Sequence, residues 1–463
     1  MAACRDYRRY LPTPRLLHSP PLPVPSTVSM TTNWKAAMGN YCWLLFIVLF
    51  ASSTIAMPSS AAGPASWKQF RGDGGNGLAL GAQPPVHWSD TRNVTWKTPI
   101  HGRGWSSPVV ADGQIWMTTA TEDGLQQFAV CVDLQTGAIV HDLLVFTNAE
   151  VQPDFHITNS YASPTPVIDG DYVYVHFGAY GTACLRRKDG SKVWERRDLP
   201  CNHYRGPGSS PMIYGDLLIF HMDGYDHQYA IALNKHTGET VWKKNREIDY
   251  GTDNGDFYKA FSTPILIQVD GQDQLVSPAS KACVVLNPRT GGELWRVRYD
   301  EHSTTVRPVF DGVHLYLSTG FGKAKMICVR VDGHGDVTDT HVKWVQHKSI
   351  GSKPSPVLVE GRLFDVTDDG IIERIDTETG HIAWRERLGG KFSASLVATE
   401  KHLYAFDHDG AGYVFTVEDH PRLVARNELP HGCQASPAIV GNSLIVRTIT
   451  NLYRFDDEDP QPE

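Results

Sequence analysis

A repeating unit of short apolar strands covers most of the chain. Each unit opens with a small polar residue before proline, continues through two or three apolar residues, a Gly or Asp turn and an alternating strand, and closes near a tryptophan. Periods of about 40–50 residues built this way are typical of propeller blades, each a four-stranded sheet. Eight openings occur, at Ser107-Pro108, Thr165-Pro166, Ser210-Pro211, Thr263-Pro264, Arg307-Pro308, Ser355-Pro356, Ala394-Ser395 and Ser436-Pro437. The repeat predicts an all-β, eight-bladed β-propeller.

The closing half of the unit places a glycine four residues before an aromatic residue, as in Thr237-Gly238 and Trp242. Glycine accepts the positive φ of a hairpin turn, and the aromatic ring on the next strand can cover the gap between blades. The sequence therefore predicts a structural girdle formed by Trp96, Trp194, Trp242, Trp295, Trp344 and Trp384.

The eighth unit stops at Phe455 without its tryptophan, while Val94-Thr95-Trp96-Lys97 matches Val241-Trp242-Lys243. The N-terminal segment can therefore supply the outermost strand of the last blade. Closure of this kind removes the free sheet edges of an open array.

The pattern small-x-Asp-x-x-Thr-Gly-x-x-x-Trp, best seen between Ile375 and Trp384 and between Ala232 and Trp242, resembles the PQQ-like (pyrroloquinoline quinone) repeat family. The resemblance covers residues 67–456. It implies a fold shared by quinoprotein alcohol dehydrogenases and by a non-enzymatic outer-membrane assembly lipoprotein of the Bam complex. Phe70-Arg71-Gly72 and Ser160-Tyr161-Ala162 look like those of exported bacterial members.

The first 56 residues differ from the rest of the chain. A basic, Pro-rich start is followed by an apolar run from Tyr41 to Ala51 and by small residues ending at Ala56, the order of a signal peptide. Met30 is an alternative start, and an uncleaved anchor is the alternative to cleavage. We expect an extension and signal peptide over 1–56, a linker over 57–66, the propeller over 67–456 and a tail over 457–463, in a chain exported to the periplasm or cell envelope.

The net charge disfavours one class of partner, and the cysteine positions indicate what the thiols do. The net charge is −8 and no long Lys/Arg run occurs, which disfavours nucleic acid. Cys131, Cys184, Cys283 and Cys328 recur inside strand-like runs, which favours packing over disulfides or metal. Cys201 and Cys433 lie in turn-rich segments, where a bridge is the alternative.

Redox chemistry has little support in the sequence. The quinoproteins that the family resemblance brings in commonly carry a vicinal cysteine pair over PQQ, and no two cysteines are adjacent here. The loops 253–256 and 332–336 have oxygen ligands at short spacing but do not complete a Ca²⁺ loop. The His221–His227 segment scatters its side chains over two strand faces. The sequence contains no recognisable motif of a catalytic triad. We expect no catalytic, cofactor or metal residues, with PQQ and Ca²⁺ as the alternative.

The residues just before each first strand should lie near one mouth of the channel, because the innermost strands line it. Six are cations, which would attract an anionic or carbonyl-rich polysaccharide or peptide. The alternative is that these cations fill a polar channel and pair with acids. The candidate binding residues are Arg103, Asn159, Tyr161, Arg205, Lys259, Phe261, Arg307, Lys353 and Lys391.

Together these observations favour an exported, non-enzymatic propeller that acts as a protein- or ligand-binding scaffold in the cell envelope. A PQQ/Ca-dependent dehydrogenase and an extracytoplasmic glycan-binding or sensor module are the alternatives. All three functions are compatible with the same fold, so only the residues of the site can distinguish them.

Overall fold

The computed structural model describes residues 63–153 and 155–457. Within them the strands form eight sheets: seven are four-stranded and antiparallel, and one adds a fifth short strand in parallel. The signal peptide and the extension predicted over 1–56 lie outside the described residues. So do part of the linker and the tail from 458 onward.

Each of the first four blades runs from a short inner strand to an outer strand in chain order. The strands of blade 1 are Val109–Ala111, Gln114–Ala120, Gln126–Asp133 and Ile139–Thr147. Those of blade 2 are Val167–Asp169, Tyr172–His176, Thr182–Arg186 and Lys192–Arg196. Those of blade 3 are Met212–Tyr214, Leu217–Asp223, Gln228–Asn234 and Thr240–Asn245. Those of blade 4 are Ile265–Val269, Gln272–Pro278, Ala282–Leu286 and Glu293–Arg298, with Gly335–Asp336 added in parallel at the edge.

Blades 5 to 7 follow the same plan, and blade 8 takes its outer strand from the other end of the chain. The strands of blade 5 are Val309–Phe310, His314–Ser318, Met326–Arg330 and Val342–Gln346. Those of blade 6 are Val357–Val359, Arg362–Val366, Ile371–Ile375 and Ile382–Arg387. Those of blade 7 are Val397–Ala398, His402–Phe406, Ala411–Thr416 and Leu423–Glu428. Those of blade 8 are Ala438–Val440, Ser443–Arg447, Asn451–Phe455 and Val94–Pro99.

The ring closes where the sequence predicts. Val94–Pro99 pairs antiparallel with Asn451–Phe455, with Lys97 opposite Tyr453. The first strands of blades 8 and 1 also contact each other. The prediction of an eight-bladed propeller closed by an N-terminal strand is confirmed.

Apolar clusters fill the spaces between adjacent blades. Successive side chains of a strand point to opposite faces, so a blade with neighbours on both sides buries both faces. Trp116 of blade 1 and Phe177, which follows the second strand of blade 2, belong to one such cluster and are fully buried. All six cysteines of the described residues are buried and free, as predicted for the four inside strands. No helix in residues 63–153 and 155–457 is long and apolar enough to cross a membrane.

Four of the girdle tryptophans bridge neighbouring blades through one recurring contact. The indole N–H of Trp194 in blade 2 donates to Lys235 O of blade 3 at 2.8 Å. Its ring lies against Gly238, where an added Cβ would come within 2.7 Å. Trp96, Trp242 and Trp344 repeat the bond to Leu134, Pro288 and Thr377 at 2.9, 3.0 and 2.9 Å.

The other two girdle tryptophans have different surroundings. Trp295 donates to Gln274 Oε1 of its own blade at 2.8 Å. Trp384 packs edge-on against Phe415 of blade 7, with ring centroids 5.8 Å apart. The contact between tryptophan and glycine is therefore a property of particular blade junctions.

Candidate functional site

A cavity of about 500 Å³ lies on the side of the ring where the first strands begin. Seven of the eight blades contribute to its wall the hydroxyl residue that opens the repeat. These residues are Ser107, Thr165, Ser210, Thr263, Ser355, Ser395 and Ser436. All seven are almost fully buried. The repeat that defines the blades therefore also builds the cavity.

Backbone amides link these residues into a ring, which we call the hydroxyl ring. The amide of Ser107 donates to Thr165 Oγ1 at 2.9 Å, and that of Thr165 donates to Ser210 Oγ at 2.9 Å. The same bond recurs from Ser210 to Thr263, from Arg307 to Ser355, from Ser355 to Ser395 and from Ser395 to Ser436, at 2.9 to 3.0 Å. Six of the seven hydroxyls, all but that of Ser107, thus join their blade to the preceding one.

The charged residues that line the cavity are mostly cationic. They include Arg205, Lys259 and Lys353, whereas Asp256 is the only carboxylate that the described residues contribute to the wall. Lys259 Nζ pairs with the Asp256 carboxylate and donates to Asp256 O at 2.7 Å. Burial lowers the pKa values of His156 and His302, so both imidazoles are neutral at neutral pH. The described residues of the wall therefore carry net positive charge.

Arg205 is held in an uncommon backbone conformation. Its φ is 92°, and the preceding Tyr204 has a φ of 39°. The guanidinium stacks 4.3 Å from the Tyr204 ring centroid and donates to the Tyr204 hydroxyl at 3.1 Å. Among the described residues no carboxylate pairs with it. Strained non-glycine residues of this kind cluster at binding sites.

Five of the nine residues predicted at the mouth line this cavity: Asn159, Arg205, Lys259, Phe261 and Lys353. Asn159 donates to Arg205 O at 2.9 Å and to Pro207 O at 3.1 Å, which fixes the loop carrying Arg205. Lys353 Nζ lies 3.2 Å from Asp368 Oδ2. The structure brings these five together from blades 2 to 6.

The remaining four predicted residues lie outside the cavity wall. Arg103 stacks over Trp105 at 5.1 Å and donates to Ile157 O. Tyr161 is buried and stacks on Phe155 at 4.0 Å. Lys391 is exposed and pairs with Asp369. Arg307 is buried and donates to Pro264 O at 2.9 Å. A position before a first strand sets how far along the channel a residue sits, but not where its side chain points.

The floor of the cavity comes from a segment that the repeat does not describe. Residues 67–79 run along the inner strands of several blades. Trp67 pairs with Val110 of blade 1, and Leu78 pairs with Ala398 of blade 7. Phe70 from this segment reaches the cavity wall. Because it has no repeat periodicity, sequence reasoning missed Phe70, and it also missed Trp105, Phe321 and Gln434 as wall residues.

Three buried arginines fasten the floor and the inner strands. Arg71 donates to Pro356 O at 2.5 Å, Arg307 donates to Phe70 O, and Arg447 donates to Thr118 O at 2.9 Å. Burial lowers the pKa of each to about 9. Each guanidinium bonds carbonyl groups at the blade edges, so all three are structural here.

The segments considered for metal have structural partners. Asp332 lies 3.1 Å from Arg330, and Asp336 lies 2.6 Å from Arg298. Asp223 forms a buried ion pair with Arg246 at 2.6 Å. Nowhere in residues 63–153 and 155–457 do three His, Cys, Asp or Glu side chains group so that they could hold a metal ion.

A family model described as outer membrane protein assembly factor BamB matches residues 59–198, 202–338 and 280–459. The chain belongs to this PQQ-like propeller family. BamB from Moraxella catarrhalis is 12% identical with a TM-score of 0.52, and the match covers 73% of this chain and 98% of that one. A quinohemoprotein alcohol dehydrogenase from Comamonas testosteroni is 11% identical with a TM-score of 0.61, covering 86% and 82%.

A europium-containing methanol dehydrogenase is 9% identical with a TM-score of 0.61, covering 85% of this chain and 98% of that one. Comparison with curated proteins found no match. At these identities the structural likenesses show the fold alone. The family includes both BamB and quinoprotein dehydrogenases, so function has to be argued from the cavity.

Proposed function

We propose that this chain is an exported, non-enzymatic propeller of the cell envelope that binds an anionic ligand or partner at the channel mouth. The observation that carries the proposal is the charge of the cavity wall. Arg205 has no carboxylate partner among the described residues, and the one carboxylate of the wall, Asp256, is paired with Lys259. A partly enclosed site of one sign of charge attracts ligands of the other sign.

Export and the boundaries rest on the sequence. The order of basic, apolar and small residues before Ala56 supports a cleaved signal peptide, followed by a linker over 57–66, the propeller over 67–456 and a short tail. The BamB-like match supports a protein partner in the envelope as one form that the ligand could take.

The residues of the cavity do not fit the cofactor used by the dehydrogenases of this family. Ca²⁺ takes several oxygen ligands, carboxylates foremost, and the wall has one carboxylate that already binds Lys259. The sequence has no adjacent cysteines to cover a quinone ring. We therefore derive no reaction through PQQ, and dehydrogenation is the weaker alternative.

Capture from envelope extracts tests the proposal. Immobilised wild-type protein should retain specific components that elute with salt, because charge attraction is screened. An Arg205→Ser, Lys353→Ser variant should lose them. Lys391→Ser is the control, because Lys391 is a cation outside the cavity wall. Identical capture by all three proteins would contradict the proposal.

Reconstitution separates the enzymatic alternative. Purified protein mixed with PQQ and Ca²⁺ should show no dye-linked alcohol oxidation. Turnover that depends on both additives would replace the binding function with a dehydrogenase.

A further inference from the structure

The hydroxyl ring has hydrogen-bond donors that the protein does not use. Six of its oxygens accept a backbone N–H, as Ser210 Oγ does from Thr165 at 2.9 Å. Within residues 63–153 and 155–457, none of these six hydroxyls donates a hydrogen bond to another protein group. A hydroxyl carries one donor and two acceptor positions, so each O–H is left for something in the cavity.

Three hydroxyls elsewhere in or beside the wall do donate to protein groups. Ser352 donates to Asp368 Oδ2 at 2.7 Å, and Ser163 donates to Asn159 Oδ1 at 2.5 Å. Thr305 donates to Ser303 O at 3.2 Å. These three donors are consumed in holding loops in place, unlike the six of the hydroxyl ring.

Gln434 has a hydrogen-bond acceptor without a donor in the described part of the chain, the reverse of the ring hydroxyls. Gln434 precedes the first strand of blade 8 and lines the cavity. Its Oε1 atom is buried and accepts no hydrogen bond from the described residues. A buried polar atom without a partner costs about 1–3 kcal/mol, so such atoms usually meet water or a ligand. A ligand that reaches both groups would accept from the hydroxyl ring and donate to the Gln434 amide oxygen. Hydroxyl groups do both, whereas carboxylates only accept.

The remaining wall offers apolar faces and positive charge. Phe70, Trp105, Phe261 and Phe321 line the cavity, and Phe321 is 62% exposed. Aromatic rings of this kind give flat surfaces for the C–H face of a ligand. Arg205 lines the same cavity, and no carboxylate among the described residues pairs with it.

We propose that the cavity is a binding site for an acidic sugar, an inference that rests on the proposed binding function. The sugar hydroxyls bond with the hydroxyl ring and Gln434, one face of the sugar lies against the aromatic residues, and the carboxylate pairs with Arg205. A volume of about 500 Å³ matches a short oligosaccharide end, since small-ligand pockets span about 300–1,000 Å³.

Calorimetric titration of the full chain with digalacturonate tests the site. The methyl ester of the same disaccharide is the uncharged control ligand, and a triglutamate peptide is the acidic control without sugar hydroxyls. We expect digalacturonate to bind at least about tenfold more tightly than either, the ratio that corresponds to about 1.4 kcal/mol.

Two variants assign the contacts. Ser210→Ala, Ser395→Ala removes donors on opposite sides of the ring and should weaken binding of both disaccharides at least about tenfold. Ser209→Ala is the matched control, because Ser209 Oγ also accepts an amide, from His221 at 3.2 Å, but does not line the cavity. Arg205→Ser should abolish the preference for the acid over its ester. Thermal unfolding of each variant checks that the propeller is intact.

The outcomes separate this inference from the proposed function. Equal affinity for acid and ester, tighter binding of triglutamate, or no effect of the serine changes in a folded variant would overturn the sugar site. Envelope capture that depends on Arg205 and Lys353 would then still support an anion-binding propeller. If neither the sugar titration nor the envelope capture gave the expected result, both the sugar site and the anion-binding function would be overturned.

Discussion

Two buried acids in blade 6 face each other across neighbouring strands. Asp365 and Glu373 are paired in register. Burial raises the pKa of Asp365 to about 8 and that of Glu373 to about 7. Asp365 Oδ2 accepts from the Gly351 amide at 2.8 Å, and Arg385 Nε lies 3.5 Å from Glu373 Oε1. Both acids are therefore held largely protonated in the folded chain near pH 6.

Stability should fall as pH rises through this range. The folded chain binds protons on these acids more tightly than the unfolded chain, so the free energy of unfolding decreases from about pH 4 to about pH 8. Asp365→Asn removes the larger share of this dependence and should raise the free energy of unfolding at pH 9 by about 2 kcal/mol.

Urea unfolding at pH 5.5 and pH 9 measures the effect. Asp369→Asn is the control, since Asp369 is exposed and paired with Lys391, and it should change the pH dependence little. An Asp365→Asn variant that still loses as much stability as wild type between the two pH values would contradict the assignment.

At the level of the element, the contact between tryptophan and glycine holds adjacent blades together. Gly238 has a φ of +76°, and its missing side chain leaves room for the Trp194 ring. Gly238→Ala should cost about 2–4 kcal/mol of unfolding free energy, because it adds both backbone strain and overpacking.

Gly215→Ala measures the backbone-strain part of that cost, so the difference between the two variants gives the packing part. Gly215 also has positive φ, at +57°, but an added Cβ would meet nothing within 4 Å. It should lose only about 1 kcal/mol, the strain alone. Equal losses for the two variants, measured by denaturant unfolding, would show that the ring contact adds nothing.

The glycine turn and the tryptophan of each repeat explain why the fold could be predicted from the sequence. The turn and the tryptophan are local features, so Thr237-Gly238 and Trp242 mark their strands without any knowledge of the neighbours. Eight repeats then leave little choice of architecture. Trp295 shows the limit, because its bond to Gln274 depends on a partner within the blade that the repeat does not specify.

The site could be predicted only in part. Asn159 and Lys259 reach the cavity because the inner strands fix where the preceding residues stand. Lys391 pairs with Asp369 and Arg307 turns inward to Phe70 O, since loop geometry and distant segments decide side-chain direction. Six of the seven ring hydroxyls were visible in the sequence as residues before a proline, and Ser395 as the opening of the seventh unit. Their open donors appear only when the hydrogen bonds are known.

At the scale of the whole molecule, the ring depends on a seam between distant parts of the chain. Trp96 comes from the N-terminal strand of blade 8, and its indole donates to Leu134 O of blade 1 at 2.9 Å. The Trp96 ring also covers Gly137, where an added Cβ would come within 2.7 Å. This residue therefore joins the last blade to the first.

Trp96→Ala should open this seam before the other blades. Removal of the buried ring costs about 3–5 kcal/mol. Because strands at an unpinned edge open locally, amides of Val94–Pro99 and Asn451–Phe455 should exchange faster than those of blades 2 to 5. Trp384→Ala is the comparison, since Trp384 is only partly buried and lies away from the seam. Hydrogen exchange that accelerates evenly around the ring in the Trp96 variant would mean that the propeller unfolds as one cooperative unit with no weak junction.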